Sequence, residues 1–375
     1  MLKSINKIIP PMLAVLAALM VSAALIALMG VNPFDAYVAL FDGAIGNVSA
    51  LGTTIVKALP LLICGVGVTI AYRAGIFNIG VEGQIMLGGI FATWVGTKVS
   101  GLPAWLHISL ALLAGVAGGM AWALLPGWLK AGRGINEVIV TLLMNFVAAL
   151  LLSWMVRGPL QEPGQAYAKT AAVAESAQLP LIWPELRLHL GFFLALLIIG
   201  LGYWLLWRTT WGFKIRYVGI NPRAAEAAGI PVTRTMLTAM LLSGGLAGLA
   251  GAVHLLGSEY RMLETFLQGF GYDSIATALV GALHPFGVLV AGFFFGALRA
   301  GSNNMQISVG LPVTLLYIIQ ALIILFILAS YHLRFGRQWW QKERVAEFDL
   351  LNTQKTESTQ STERVADDGI IESTG

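Results

Sequence analysis

The sequence predicts an all-α, polytopic membrane protein, and three observations carry that prediction. Of 375 residues, 57% are hydrophobic and only 11% are charged, whereas a soluble globular domain carries about 25% charged residues. The mean hydropathy is +0.77. The apolar residues also gather into charge-free runs, and a helix crossing roughly 30 Å of hydrocarbon needs about 20 such residues. A chain so poor in polar side chains cannot cover a water-facing surface.

The runs cover residues 8–34, 58–72, 83–97, 99–129, 138–156, 188–207, 235–258, 274–298 and 300–333. Lys3 and Lys7 precede the first, as in a secretory signal. That run is too long for an h-region, and Gly30-Val31-Asn32 is a poor cleavage site. It reads as an uncleaved first helix. In 274–298, Gly281, His284, Pro285 and Gly287 cluster mid-run; proline removes a donor and glycine loosens the turn, so two short helices joined by a tight hairpin are expected. The total is then about ten spans, some short or broken, with both termini on one side.

Basic residues give the orientation. With the N-terminus in the cytoplasm, twelve Lys or Arg fall in inner loops against six in outer ones, which supports N-in and C-in. The transmembrane domain is 1–335, with an outer loop at 157–187, room there for a short amphipathic piece, and a cytoplasmic loop at 208–234. Residues 343–375 are rich in Ser, Thr, Glu, Asp and Gln and read as a disordered cytoplasmic tail.

Several chemistries are excluded. There is no G-x-x-x-x-G-K-[ST] and not even a Gly-Lys pair, so this chain cannot hold a nucleotide by a P-loop. H-E-x-x-H and G-x-S-x-G are absent, and the five histidines never pair at ligand spacing. No catalytic residue, metal site or bound cofactor is expected. Cys64, the single cysteine, lies in an apolar run and reads as an inert buried thiol. The net charge of +4 is scattered between apolar runs, which marks topology and not nucleic-acid binding.

Three polar constellations interrupt the apolar runs. The stretch 72–84 places Arg73, Asn78, Glu82 and Gln84 among three glycines. A charge at a helix centre costs about 2.5–3.5 kcal/mol on insertion scales, so Arg73 and Glu82 must lie at an interface, face a wet cavity or pair. Two readings stay open: an inner loop with glycine turns, or a broken helix lining a pathway. Glu137, Thr141 and Asn145 follow i, i+4, i+8 and form one polar stripe, either interhelical glue or a substrate contact. In 269–277, Asp273, Ser274 and Thr277 follow a Gly-rich turn. Together these nine side chains (Asn78, Glu82, Gln84, Glu137, Thr141, Asn145, Asp273, Ser274, Thr277) are the candidate translocation pathway. Gly115/Gly119, Gly244/Gly248 and Gly292/Gly296 have small-xxx-small spacing and read as helix packing.

The basic loop contains Asn221-Pro222-Arg223-Ala224-Ala225-Glu226, then Gly229-Ile230-Pro231. Asn221 suits an N-cap, Pro222 the first helical position, and Gly229 with Pro231 a stop. A helix of about two turns is expected, and one so short needs something to dock against.

Arg73 through Gln84, Glu137-Val138-Ile139 with Thr141 and Asn145, the 221–230 loop and 271–276 together resemble the permease subunits of bacterial ABC importers. More narrowly, they are similar to the nucleoside and simple-sugar, lipoprotein-dependent branch of the ribose and branched-chain amino acid permease family. The resemblance covers most of residues 10–335. It implies that Asn221, Pro222, Arg223, Ala224, Ala225, Glu226, Gly229 and Ile230 form the coupling helix that fits a groove on a separate ATPase subunit, which uses the ATP. It further implies a pore shared with a second, related permease chain, an extracytoplasmic binding protein or lipoprotein that delivers the solute, a bacterial inner membrane, and a nucleoside or simple sugar as cargo. The acidic tail departs from the pattern. The alternative reading is an ion-coupled secondary transporter using Glu82, Glu137 or Asp273 as a proton or cation site; a passive channel is a third.

Overall fold

The computed structural model describes residues 2–164, 167–312, 314, 315, 317–327 and 329. The expected tail at 343–375 lies outside the described residues. Two compact units are present, 1–21 with 321–375, and 22–320. The second holds every site discussed below.

The fold is helical. In order come α1 (Leu2–Leu28), α2 (Pro33–Ile45), α3 (Val48–Arg73), α4 (Val81–Lys98), α5 (Ala104–Arg133), α6 (Glu137–Arg157), α7 (Gly191–Arg208), α8 (Thr210–Ile220), α9 (Pro222–Ala227), α10 (Val232–His254), α11 (Phe270–Val280) and α12 (Pro285–Val309). A short apolar helix, α13 (Tyr317–Ile327), follows. Among the described residues six helices are long and apolar enough to cross a membrane, or seven if the bent pair α1 and α2 counts as one span. The protein is therefore a multi-pass membrane protein, and the described residues bear out six or seven of the about ten spans, some short or broken, that the sequence predicts.

Two differences from the sequence reading have one cause. The run at 58–72 is only the second half of α3, which begins ten residues earlier and takes Lys57 inside it. The runs at 274–298 and 300–333 do not meet at a loop, because Arg299 lies within α12, which ends at Gly310 with φ +73°. Both cations find internal partners: Lys57 Nζ donates to the Arg299 carbonyl at 3.1 Å, and Arg299 Nε donates to Asp273 Oδ2 at 2.5 Å. A charge that pairs inside the protein does not mark a helix end. The break at 281–284 is present, though only α11, at 11 residues, is short; α12 has 25. The bend of 117° between α1 and α2 was not foreseen. It occurs where Asn32 accepts from Phe34 N–H and Pro33 starts the new helix.

The core is a crossing of small residues. A Cβ on Gly88 would collide with the backbone of Gly248, one on Gly119 with the Gly244 carbonyl, and one on Gly251 with the Ile85 carbonyl. Without side chains at these points α4, α5 and α10 touch backbone to backbone, and packing, not water, holds helices together in lipid. Gly292 and Gly296 of α12 similarly admit Leu62 and Ala58 of α3. α3 is central, with 83% of its apolar window buried, and α6 is peripheral, with 22%. On α6, Ile139, Leu143, Phe146, Leu150 and Trp154 are exposed, an apolar stripe on the outer face of the helix.

The helices run between two ends. At one lie the C-termini of α3, α5 and α7 with α8 and α9. At the other, the 158–190 segment pairs with the chain after α10: Thr170 N–H donates to Met262 O at 3.1 Å, Val173 to Tyr260 at 2.9 Å and Leu179 to Leu256 at 2.8 Å. A small hairpin, β1 (Leu181–Trp183) against β2 (Leu188–His189), closes this segment. Its His189 is fully buried. Nδ1 accepts from Gly191 N–H at 3.2 Å and Nε2 meets Ser258 Oγ at 3.3 Å, the bonds of a neutral ring. Burial first, and the neighbouring His254 second, push this imidazole down to about 4.

Two outcomes follow. Replacing Gly248 by valine forces α5 and α10 apart and should cost about 1–3 kcal/mol, typical of overpacking, measured as a lower Tm and lost monodisperse protein in detergent. For His189, the folded pKa lies below the unfolded value of about 6.5. Stability is therefore complete above pH ~6.5 and lost progressively as pH falls toward 4, by at most about 3 kcal/mol. Thermal unfolding between pH 7.5 and 4.5 checks this, with His189→Gln expected to show a shallower decline.

Candidate functional site

α3 ends at Arg73 with Ala74 as its C-cap, and Gly75 turns the chain with φ +77°. Residues 74–80 then run non-helical between two apolar helices until Val81 opens α4. Irregular backbone at this depth survives only if its polar groups are met inside the protein. Side chains of the break itself and of α6 do this, and residues of α4, α5, α10 and α11 hold them in place. Asn78, fully buried, donates through Nδ2 to Gln84 Oε1 at 2.8 Å and Ser243 Oγ at 2.9 Å, and Gln84 Nε2 returns a bond to Asn78 Oδ1 at 3.1 Å. Asn145 on α6 accepts from Gly83 N–H at 2.9 Å and donates to Ile79 O at 2.9 Å and to the Tyr272 hydroxyl at 3.2 Å. Glu137 accepts from Phe77 N–H at 3.2 Å and pairs with Lys130 Nζ at 2.8 Å.

Glu82 ties this break to the second Gly-rich turn. Its Oε1 accepts from Gly269 N–H at 2.5 Å and its Oε2 from Gly271 N–H at 2.7 Å. A Cβ on Gly271 would strike the Glu82 backbone, so glycine alone permits the approach. In α11, Asp273 accepts from Arg299 Nε and from Gln320 Nε2 at 3.2 Å. Thr141, Ser274 and Thr277 donate to carbonyls of their own helices, Glu137 at 2.7 Å, Phe270 at 2.6 Å and Asp273 at 2.7 Å.

The nine candidate pathway residues are thus all buried, none more than 8% exposed, and they fall into two groups. Asn78, Glu82, Gln84, Glu137 and Asn145 knit the two breaks together, with Thr141 bonded back on α6. Asp273, Ser274 and Thr277 sit on α11. None lines the large cavity. That cavity, about 1110 Å³, opens at the other end, among Thr53, Lys57, His254, Gln268, Arg299 and Asn303. The sequence reading missed these residues. The available signal was a lone cation inside an apolar stretch, Lys57 or Arg299, with no loop residues beside it.

At the opposite end Asn221 Oδ1 accepts from Ala224 N–H at 3.1 Å and Pro222 takes the first helical position, so α9 is capped as its sequence predicts. Ala225 is buried and anchors the helix. Arg223 and Glu226 are exposed, Ile230 N–H closes onto Ala225 O at 3.0 Å, and Gly229 takes φ +76°. α8 packs on the end of α3: a Cβ on Gly219 would meet the Arg73 carbonyl. Arg73 lies 5.5 Å above the Trp207 ring and donates through Nε to Leu283 O at 3.0 Å, in the turn before α12. One contiguous surface therefore joins α8, the end of α3 and the α11–α12 turn. Among the described residues no group of three or more His, Cys, Asp or Glu could hold a metal ion.

Asn145→Leu removes the partners of Gly83 N–H and Ile79 C=O together. With each orphaned group costing about 1–3 kcal/mol, the variant should unfold several degrees lower in detergent, measured by differential scanning fluorimetry.

The chain is 38% identical to the guanosine ABC transporter permease protein NupP of Bacillus subtilis over 89% of its own length and 97% of the relative. It is 36% identical to the glucose ABC transporter permease protein TsgB13 of Haloferax volcanii, over 85% and 87%. A second Bacillus subtilis guanosine permease, NupQ, is 27% identical over 65% of this chain and 78% of its own. No solved structure matches. Residues 50–328 match the description of the permease component of branched-chain amino acid transport systems, and the chain belongs to that family.

Proposed function

We propose that this chain is one of two pore-forming subunits of an ATP-driven importer that carries nucleosides across a bacterial inner membrane. The carrying observation is the exposed, capped helix α9, braced by α8 against the end of α3. A short surface helix with its own cap and a buried anchor is built to be pushed from outside the chain. A separate ATPase subunit would supply that push and use the ATP. The cations Arg208, Lys214, Arg216, Arg223 and Arg234 crowd this end, which favours placing it in the cytoplasm. The 158–190 segment then faces outward, where a binding protein or lipoprotein would deliver the solute.

Two permeases of one organism, NupP and NupQ, both carry guanosine in their names, which supports a related, non-identical partner chain. The glucose permease supports a simple sugar as the second reading of the cargo. The ion-coupled alternative is weakened by the partners of the three acids it needs: Glu82 is held by two backbone N–H groups, Glu137 by Lys130 and Asp273 by Arg299. For the nine frame residues we propose a positioning role beside the route.

Glu226→Lys and Gly229→Trp should lower uptake of labelled nucleoside about tenfold or more, corresponding to at least ~1.4 kcal/mol of lost coupling, with normal amounts of protein in the membrane. A Cβ at Gly229 meets nothing within 4 Å, so only the positive φ strains the fold. Full uptake with normal stimulation of the ATPase would refute the coupling role, and uphill uptake by this chain alone in ATP-free vesicles would refute the importer.

A further inference from the structure

A second, smaller cavity lies at the end that carries α9. It has a volume of about 220 Å³ and is lined by Trp211, Lys214 and Ile215 of α8 and by Arg234, Thr235 and Thr238 of α10. Sites that enclose a small molecule measure about 300–1,000 Å³. This one takes a small ion or one group of a larger ligand, not a whole solute.

Its charge is one-sided: two cations line it and no acid does. The ion pairs among the described residues use Lys130, Arg157, Lys169, His254, Arg261 and Arg299, so neither Lys214 nor Arg234 has a carboxylate partner there. Arg216, on the same helix, is engaged: it lies 5.8 Å above the Trp207 ring and its Nε donates to Gly212 O at 3.4 Å. The threonine protons are spent, since Thr235 Oγ1 donates to Pro231 O at 2.9 Å and Thr238 Oγ1 to Arg234 O at 2.8 Å. Recognition therefore falls on an ammonium and a guanidinium. Arginine forks onto phosphate oxygens and lysine adds a point charge, while two like charges lining one small space repel until an anion enters between them.

The surroundings favour a lipid over a free ion. α8 has 11 residues, too few to span, and it follows the span α7 directly. Its Trp211 and Phe213 are exposed, large rings beside Lys214 and Arg216, the composition of a helix lying in the headgroup layer. Trp211 both lines the cavity and is exposed, so an apolar flank continues outward from the charged interior. An anionic phospholipid has the same order, a phosphate and then an apolar body, and basic pockets between helices on the cytoplasmic side suit such headgroups.

We propose that this cavity holds the phosphate of an anionic phospholipid, bound by Lys214 and Arg234. Free phosphate shares the oxyanion chemistry and lacks the apolar body. The side of the membrane and the effect on transport rest on the importer reading above. α8 runs to the cap of α9 at Asn221, and α10 starts right after Pro231, so the bound phosphate clamps the two stems of the coupling helix. A filled cavity keeps α9 firm against the helices it pushes; an empty one lets α8 and α10 part under like charge.

The test uses the assembled transporter, with its partner permease, ATPase and binding protein, purified in detergent. Phosphatidylglycerol or phosphatidylcholine is titrated in, and retained lipid is counted by native mass spectrometry. The difference between the complex and its variants reads this cavity against all other lipid contacts. Phosphatidylglycerol should be retained over phosphatidylcholine. Lys214→Gln with Arg234→Gln should weaken that retention about tenfold or more, and Lys214→Arg with Arg234→Lys should keep it. Either Gln change alone, with a smaller loss, replaces the pair if the pair does not assemble. In vesicles, uptake should be faster with phosphatidylglycerol than with phosphatidylcholine alone, and the Gln pair should lose most of that ratio. Equal retention by the unmodified complex and the Gln pair overturns the proposal. Displacement of the lipid by inorganic phosphate, beyond that by chloride at the same ionic strength, makes the site one for a soluble anion and overturns the lipid. Loss of the ATPase from the Gln pair with lipid retention intact makes it a protein contact, which also overturns it. Uptake that persists without ATP removes the importer reading alone, because retention is read without transport and still decides the cavity.

Discussion

The structure depends on satisfying the backbone where helices break. In hydrocarbon there is no water to accept an orphaned N–H or to donate to an orphaned C=O, so each interruption has to carry its own partners. At 74–80 those partners are Asn78, which accepts from Gly80 N–H, Glu137, which accepts from Phe77 N–H, and Asn145, which donates to the Ile79 carbonyl, drawn from the break itself and α6. At 269–271 the partner is one carboxylate, Glu82, spending both oxygens on two consecutive-turn amides. Because Glu82 belongs to the first turn after one break and reaches the other, the two irregular segments are a single structural unit.

That unit lies near the surface on which α8 and α9 sit. Gly75 and Gly219 approach each other, Arg73 reaches the Leu283 carbonyl, and Trp207 carries both Arg73 and Arg216 over its ring at 5.5 and 5.8 Å. The two ends of unit 22–320 are connected through α12, which begins at that turn and carries Arg299 to the wall of the large cavity. Displacement of the turn before α12 and rearrangement at Arg299 are therefore properties of one helix.

How much of this was legible in the sequence depends on where the charges went. Charge-free runs located most helices, and small-xxx-small spacings marked positions of close helix packing without saying which helices meet there. The cap and stop of α9 were readable from Asn221, Pro222 and Gly229, because local capping chemistry needs no tertiary context. The ruler failed at Lys57 and Arg299, which the sequence placed at edges and which pair internally instead. Polar residues clustered in sequence, such as Asn78 to Gln84, drew attention as a pathway, yet clustering is also what a break needs for its own bonds. The cavity wall was invisible because its residues come from positions 53 to 303 and no short motif gathers them.

The glycine crossing of α4, α5 and α10 has a mechanical consequence. Interlocked side chains can re-mesh by small rotamer changes, which lets packed helices shear past one another. Here backbone meets backbone and the teeth are single methyls, Ala252 set against Gly115 and Ala123 against Gly244, with no rotamer to change. These three helices must rotate as one rigid block, and any opening or closing of the transporter is left to the elements hinged around it.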